Sequence, residues 1–406
     1  MMETWTLAAL WIGLALVATL LSIWLRVATA LSEIVVGTVA QLVIGALLGG
    51  AVLGTDQSWI KFLSGTGAIL LTFLAGAELD PAVFRLKWKE ASVVGLASFA
   101  APFLGCTAVA YWLLHWSGPA SWLAGVAMST TSVAVVYAVM LELGLNQTGF
   151  GKTLLAACFI TDLGTVVALG LIFAPFTMKT GVFAGVSTVV FFALPWLTPR
   201  FFKRFGGRPS ELEAKYLLFF LFGLGALALW AESEAVLPAY LIGMVLAGTV
   251  GKDHVLVRRL RTLTFGLLTP FYFIRAGSLV SVPALLAGPW ILLVLLVSKV
   301  ACKMAAVWPA TRFFNRGRAR EGRLEGIYTT LLMSTGLTFG SIASLFGLAH
   351  GIIDTSQYSY LVAAVILSAV IPTVIANAFY LPRHLLAAPS KEVGTVETAP
   401  QSSQST

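Results

Sequence analysis

Ser121 to Leu143 reads SWLAGVAMSTTSVAVVYAVMLEL. Apart from its centre this is the kind of run that crosses a bilayer, since about twenty apolar residues span a hydrocarbon core of about 30 Å as a helix. The centre is Ser129-Thr130-Thr131-Ser132, an unbroken row of hydroxyls. In lipid an unpaired backbone group is costly, so a helix breaks only where side chains or neighbouring protein satisfy the freed groups. Hydroxyls can do so. The blander reading keeps the helix intact, each hydroxyl bonding to the turn before it. A second polar stretch, Met333-Ser334-Thr335-Gly336, interrupts the run from Glu325 to Leu348 in the same way. Two such stretches at matched positions favour two discontinuous helices.

The rest of the chain is written for lipid. It is 58% hydrophobic and 11% charged, against roughly 25% charged in soluble domains. Apolar runs predict an all-α polytopic membrane protein of about thirteen spans. They are Trp5–Leu25, Ile34–Gly54, Trp59–Leu79, Ala91–Leu114, Ser121–Leu143, Phe150–Pro175, Gly181–Phe202, Ala214–Ala231, Val236–Val250, Phe265–Val280, Trp290–Phe313, Glu325–Leu348 and Tyr358–Leu381. The first run has no basic residues before it and no small-residue cleavage site, so it reads as a retained span. The domain is expected over residues 1–381, with 382–406 a disordered cytoplasmic tail rich in Ser, Thr and Pro.

The net charge of +8 matters through its placement. Most of the 26 lysines and arginines fall in alternate loops, including Arg85 to Lys89, Arg200 to Lys215, Lys252 to Arg261 and Arg312 to Arg323. The positive-inside rule then places the N-terminus outside and the C-terminus in the cytoplasm, in the cell inner (plasma) membrane. Nucleic acid is not an expected partner. Cys106, Cys158 and Cys302 lie in apolar runs with no CxxC spacing, so neither a disulfide framework nor a metal site is indicated.

A second echo joins the halves of the chain: LLTFLAGAEL at Leu70 to Leu79 against LLTPFYFIRAGSL at Leu267 to Leu279. Members of each pair stand seven spans apart, so spans one to six match eight to thirteen as an inverted repeat. Such repeats with interrupted helices point to a secondary transporter whose site lies between the breaks.

Asp162 stands at the middle of the sixth span, where it cannot snorkel and a charge costs about 2.5–3.5 kcal/mol on insertion scales. Ion or proton handling accounts for that better than a structural pair does. Lys299, near the middle of the eleventh span, is the expected counter-charge, whereas Lys303 one turn on is read as snorkelling. Arg275, in the tenth span, is a second basic candidate, able to act as a fixed charge alone. Glu78, Glu142, Glu232 and Glu234 lie at span ends, where solvation is the default. No nucleophile, phosphate loop or metal cluster points to an enzyme, and no cofactor is expected.

Leu74-Ala75-Gly76-Ala77-Glu78-Leu79-Asp80, the run Ser129 to Val136 with Glu142 to Leu145 after it, and Phe159-Ile160-Thr161-Asp162 together resemble the monovalent cation:proton antiporter-2 family. That family includes sodium/proton exchangers and the membrane domains of glutathione-gated potassium efflux systems. The resemblance covers residues 4 to about 381. It implies a core of spans four to six and eleven to thirteen, with crossed broken helices, moving against a scaffold that mediates homodimerisation. By it Asp162 is the ion-binding aspartate, Lys299 the basic residue of the eleventh span, and Thr130 and Thr131 mark the first break, with Ser129 beside them.

The chain departs from the family pattern at three places. Thr161 replaces the first of two aspartates found in electrogenic relatives, as glutamine does in potassium efflux relatives. Gly336-Leu337 stands where many members have a glutamate, and no GxGxxG follows the last span, so no nucleotide-binding regulatory domain is expected. The resulting expectation is exchange of Na+ or K+ for H+, electroneutral because one carboxylate carries either cargo, with Thr161 and break oxygens as further ligands. A sodium-coupled solute symporter of related fold, a channel-like potassium efflux protein and a membrane sensor with a structural charge pair remain as alternatives.

Overall fold

The computed structural model describes residues 4–385 apart from 26, 49–52, 78–80, 146–147, 174–176, 208–209, 232, 234, 252 and 316–318. Glu78, Glu232, Glu234, the side chain of Glu142 and most of the expected tail lie outside the described residues. Helix overlies every predicted span, and the described residues contain no strand.

The helices are α1 (Thr4–Leu25), α2 (Thr29–Leu48), α3 (Ser58–Ala77), α4 (Pro81–Ala108), α5 (Gly118–Ser129), α6 (Val133–Glu142), α7 (Gly149–Ile172), α8 (Met178–Phe205) and α9 (Leu212–Trp230). They continue with α10 (Val236–Leu246), α11 (His254–Leu263), α12 (Thr269–Ser278), α13 (Val282–Ala287), α14 (Pro289–Phe314), α15 (Ala319–Met333), α16 (Thr338–Ala349) and α17 (Thr355–Phe379). Ten segments are long and apolar enough to cross a membrane, and Thr29–Val43 and Val236–Leu246 are shorter apolar helices.

Two segments differ from the sequence reading. The basic stretch read as a loop before the tenth span is helical as α11, started by Asp253, whose carboxylate accepts from the Val255 and Leu256 amides at 3.1 and 3.0 Å. The tenth span is not one regular helix: a wide turn over Thr264–Leu268 precedes α12. Pro270 stands at the start of α12 and has no N–H to return to the preceding turn.

Buried apolar side chains form two main bodies. The larger centres on α4 to α7 and α14 to α17 and takes in side chains of α2, α3, α10 and α12. The second joins α3 with α8 to α11. Glycines bring two helix pairs into backbone contact. Gly37 of α2 and Gly277 of α12 lie against the Ile274 and Ile34 carbonyls, and Gly76 of α3 and Gly243 of α10 lie against the Tyr240 and Phe73 carbonyls. Small residues allow such approach where lipid supplies no hydrophobic drive for association.

Both expected breaks are present. Residues 130–132 separate α5 from α6, and residues 334–337 separate α15 from α16. At the first, Thr130 is extended (φ −62°, ψ 151°). The Ser129 and Thr130 hydroxyls donate to the Val126 and Ala127 carbonyls at 2.8 and 3.0 Å. At the second, Ser334 and Thr335 donate to the Thr330 and Leu332 carbonyls at 2.8 and 2.7 Å. Back-bonding and interruption thus occur together. The breaks also meet: the Ser132 amide donates to the Thr335 carbonyl at 3.1 Å, and the Thr131 hydroxyl to the Met333 carbonyl at 2.8 Å.

Candidate functional site

Asp162 lies at the middle of α7, beside this meeting point. Its residue is 1% exposed, and Oδ1 is buried with no hydrogen-bond partner among the described residues. An unpaired buried oxygen of this kind is rare in folded proteins and marks a strained, catalytic or ligand-binding position. One turn on, the Thr165 hydroxyl lies 3.2 Å from that of Ser129, which ties α7 to the end of α5.

Thr161 faces another way. Its hydroxyl is shared between the Gly95 carbonyl of α4 and the Ala157 carbonyl of its own helix, both at 3.1 Å. The neutral residue beside the carboxylate therefore fastens α7 to α4.

The two lysines divide the work differently from the sequence reading. Lys303, expected to snorkel, is fully buried. Its ammonium donates to Ser98 Oγ at 2.7 Å, Thr131 Oγ1 at 2.9 Å and the Ser129 carbonyl at 2.9 Å, with the Thr130 carbonyl at 3.4 Å. The C-terminal end of α5 explains this, since its free carbonyls and negative dipole end draw a cation. Lys303 is also the charged group acting on Asp162. Lys299, expected as the counter-charge, donates instead to Ser368 Oγ of α17 at 3.1 Å. Its ammonium lies over Gly336, where a Cβ would collide with it and approach Thr130 Oγ1 to 2.7 Å. Neither lysine forms an ion pair with Asp162 among the described residues. Four residues apart on α14, both face the crossing.

Arg275 does not join this group. Its Nε donates to the Thr55 carbonyl at 3.1 Å, between α12 and the segment before α3. Thus Ser129, Thr130, Thr131, Asp162 and Lys299 gather at the crossing, Thr161 adjoins it from behind, and Arg275 is elsewhere. Ser98, Thr165, Lys303 and Ser368 complete the polar centre without having been singled out for it. Neither serine carried a clear signal: the span of Ser98 also holds Ser92 and Thr107, and Ser368 belongs to a helix with several serines and threonines.

A polar cavity of about 510 Å³ opens among α4, α7, α14 and α15 and reaches Ala157, whose carbonyl accepts from Thr161. At its edge His384 Nε2 lies 2.8 Å from Glu325 Oε1. No three His, Cys, Asp or Glu side chains cluster as a metal site among the described residues. What the centre does offer is hydroxyls, carbonyls and one unpaired carboxylate oxygen, the donor set that suits a hard monovalent cation or a proton.

Comparison with known proteins agrees. A family model described as the transmembrane sodium/hydrogen exchanger matches residues 12–379. The "Probable Na(+)/H(+) antiporter 3" of Methanocaldococcus jannaschii is 26% identical over 85% of this chain and 89% of its own length. The glutathione-regulated potassium-efflux system protein KefC of an Enterobacter species is 27% identical over 80% of this chain, which spans 54% of that protein. The structure of the sodium proton antiporter MjNhaP1 from Methanocaldococcus jannaschii matches with a TM-score of 0.67, covering 93% of this chain and 97% of that one at 14% identity, which establishes the likeness of fold. The chain is a multi-pass membrane protein and belongs to the sodium/hydrogen exchanger transmembrane family.

Proposed function

We propose that this protein exchanges a monovalent cation, Na+ or K+, for H+ by alternating access, with Asp162 taking up the two cargoes in turn. The unpaired Oδ1 beside two meeting helix breaks carries the reading. A proton or a partly dehydrated cation satisfies it, and the Ser129, Thr130 and Thr131 oxygens stand nearby to complete coordination. Lys303 and Lys299 are the fixed positive charges of the centre.

The second buried body, drawn from α3 and α8 to α11 without a buried side chain of α4 to α7 or α14 to α17, supports a division into a core of those helices and a scaffold of the remaining ones, with α2, α3, α10 and α12 packing against the core. The glycine crossings support the inverted repeat: one joins spans two and ten, the other spans three and nine, and the repeat exchanges these pairs. We also assign a plasma-membrane location with the C-terminus cytoplasmic, a homodimer built through the scaffold, and electroneutral exchange. With one carboxylate carrying either cargo, both loaded states bear the same charge. Voltage, worth about 2.3 kcal/mol per charge per 100 mV, then has nothing to drive between them.

The test is cation-driven proton movement in proteoliposomes, with Na+ and K+ tested separately under an imposed diffusion potential. Asp162→Asn is expected to abolish exchange in a protein that still folds, because the amide keeps the volume and loses the proton. Wild-type exchange by that variant would remove Asp162 from the mechanism, and a rate that tracks the potential would sink the one-for-one scheme.

A further inference from the structure

One side chain reaches from the glycine-packed helices toward the unpaired carboxylate. Tyr240 stands near the middle of α10 and is fully buried. Its own carbonyl is pressed against Gly76 of α3, and Gly243, one turn on, is pressed against the Phe73 carbonyl. With backbone against backbone at both points, α10 has no slack relative to α3.

The side chain of Tyr240 belongs to the other body. Its hydroxyl donates to the Phe159 carbonyl of α7 at 3.0 Å, and its ring meets Phe339 of α16 edge-on, with centroids 5.8 Å apart. Phe159 precedes Asp162 by three residues, so both belong to one face of α7. Cys158 and Asp162, one residue before and three after Phe159, flank the carbonyl that the phenol bonds. Tyr240 thus touches the helix that carries the carboxylate and the half-helix that follows the second break, while its backbone is fixed to neither.

We propose that Tyr240 is a latch and seal between scaffold and core, holding α7 in its present position and covering the approach to Asp162. This rests on the alternating-access reading above. A sliding of α7 past α10 by a few ångströms breaks a 3.0 Å hydrogen bond, whereas the glycine contacts between α10 and α3 persist. The bond therefore favours one position of the core over another, and such a differential interaction is what sets the balance of two states. The Phe159 carbonyl lies mid-helix, where an amide of its own helix can also bond it, so releasing the phenol does not orphan it.

The native thiol of Cys158 supplies the readout. It is free, fully buried, and one turn from Asp162. In a Cys106→Ser, Cys302→Ser background, the rate of its modification by N-ethylmaleimide measures how often the covered face opens. Tyr240→Phe keeps the ring and removes only the hydroxyl. It is expected to speed modification about two- to tenfold, the equilibrium effect of one net hydrogen bond, and Tyr240→Ala to speed it further. Cys106, assayed in a Cys158→Ser, Cys302→Ser background, lies away from α10 and is expected to keep its wild-type rate. An unchanged Cys158 rate in Tyr240→Phe would overturn the latch, as would an equal acceleration at Cys106, which signals general loosening. Labelling needs no cation movement, so a protein that exchanges cations with unaltered labelling loses the latch alone. Absent exchange with the labelling shift present removes the transport reading instead.

Discussion

The two helix breaks meet each other yet are held by different means. The first, at residues 130–132, is clamped by Lys303, which bonds a hydroxyl of α4, the last carbonyl of α5 and a hydroxyl of the break itself. The second, at residues 334–337, is overlaid by Lys299, whose ammonium bonds Ser368 across the bare surface of Gly336. One break is tied by charge to several oxygens; the other is shaped by space left for a charge. Two lysines one helical turn apart thus have unequal structural weight.

The most severe way to break that comparison is Lys303→Met, which keeps the length of the side chain and removes the ammonium. Several buried acceptors lose their charged donor, at about 1–3 kcal/mol for each group left unsatisfied. Thermal melting in detergent should show it clearly, and Lys299→Met should melt distinctly higher. Equal melting of the two variants would erase the distinction between the breaks.

A smaller effect sharpens the role of space. Gly336→Ala puts a methyl group where the Lys299 ammonium lies, and overpacking of this kind costs about 1–3 kcal/mol. The variant should lose stability and exchange together, and a second change, Lys299→Ala, should recover melting by vacating the contact. Failure of that rescue would place the damage at the remaining contact with Thr130 Oγ1 or in the backbone at the break.

Smallest of all is Ser368→Ala, which removes the hydroxyl that receives Lys299. One net hydrogen bond is worth about 0.5–1.5 kcal/mol, and about 1.5–3 kcal/mol where one partner is charged. A modest drop in melting temperature is expected, below that of Lys303→Met. A drop as large would show that the second break depends on its ammonium as heavily as the first does.

The spans were legible because lipid demands long apolar helices, and both breaks were legible because hydroxyl clusters in mid-span have few other uses. Asp162 was legible for a similar reason, as an acid where an acid is expensive. The weighting of Lys299 and Lys303 was not. Their spacing puts both on one face, but which ammonium meets the carbonyl end of α5 depends on how α14 is shifted along its axis, and sequence carries no sign of that. Arg275 looked central through its place in the tenth span, yet the wide turn before Pro270 splits that span and the side chain is taken up by the Thr55 carbonyl. Thr161 was read as a ligand from its neighbour, whereas its hydroxyl serves the packing of α7 on α4.

The oxygens around the Lys303 ammonium stand at 2.7 to 2.9 Å, a spacing at which a dehydrated cation of potassium size would also be at home. The protein therefore brings its own counter-ion to the first break, fastened to α14 by a covalent stem. It cannot be washed out by dialysis, exchanged for lithium or depleted by a low-salt habitat. Folding of the crossing is in that respect uncoupled from ionic conditions.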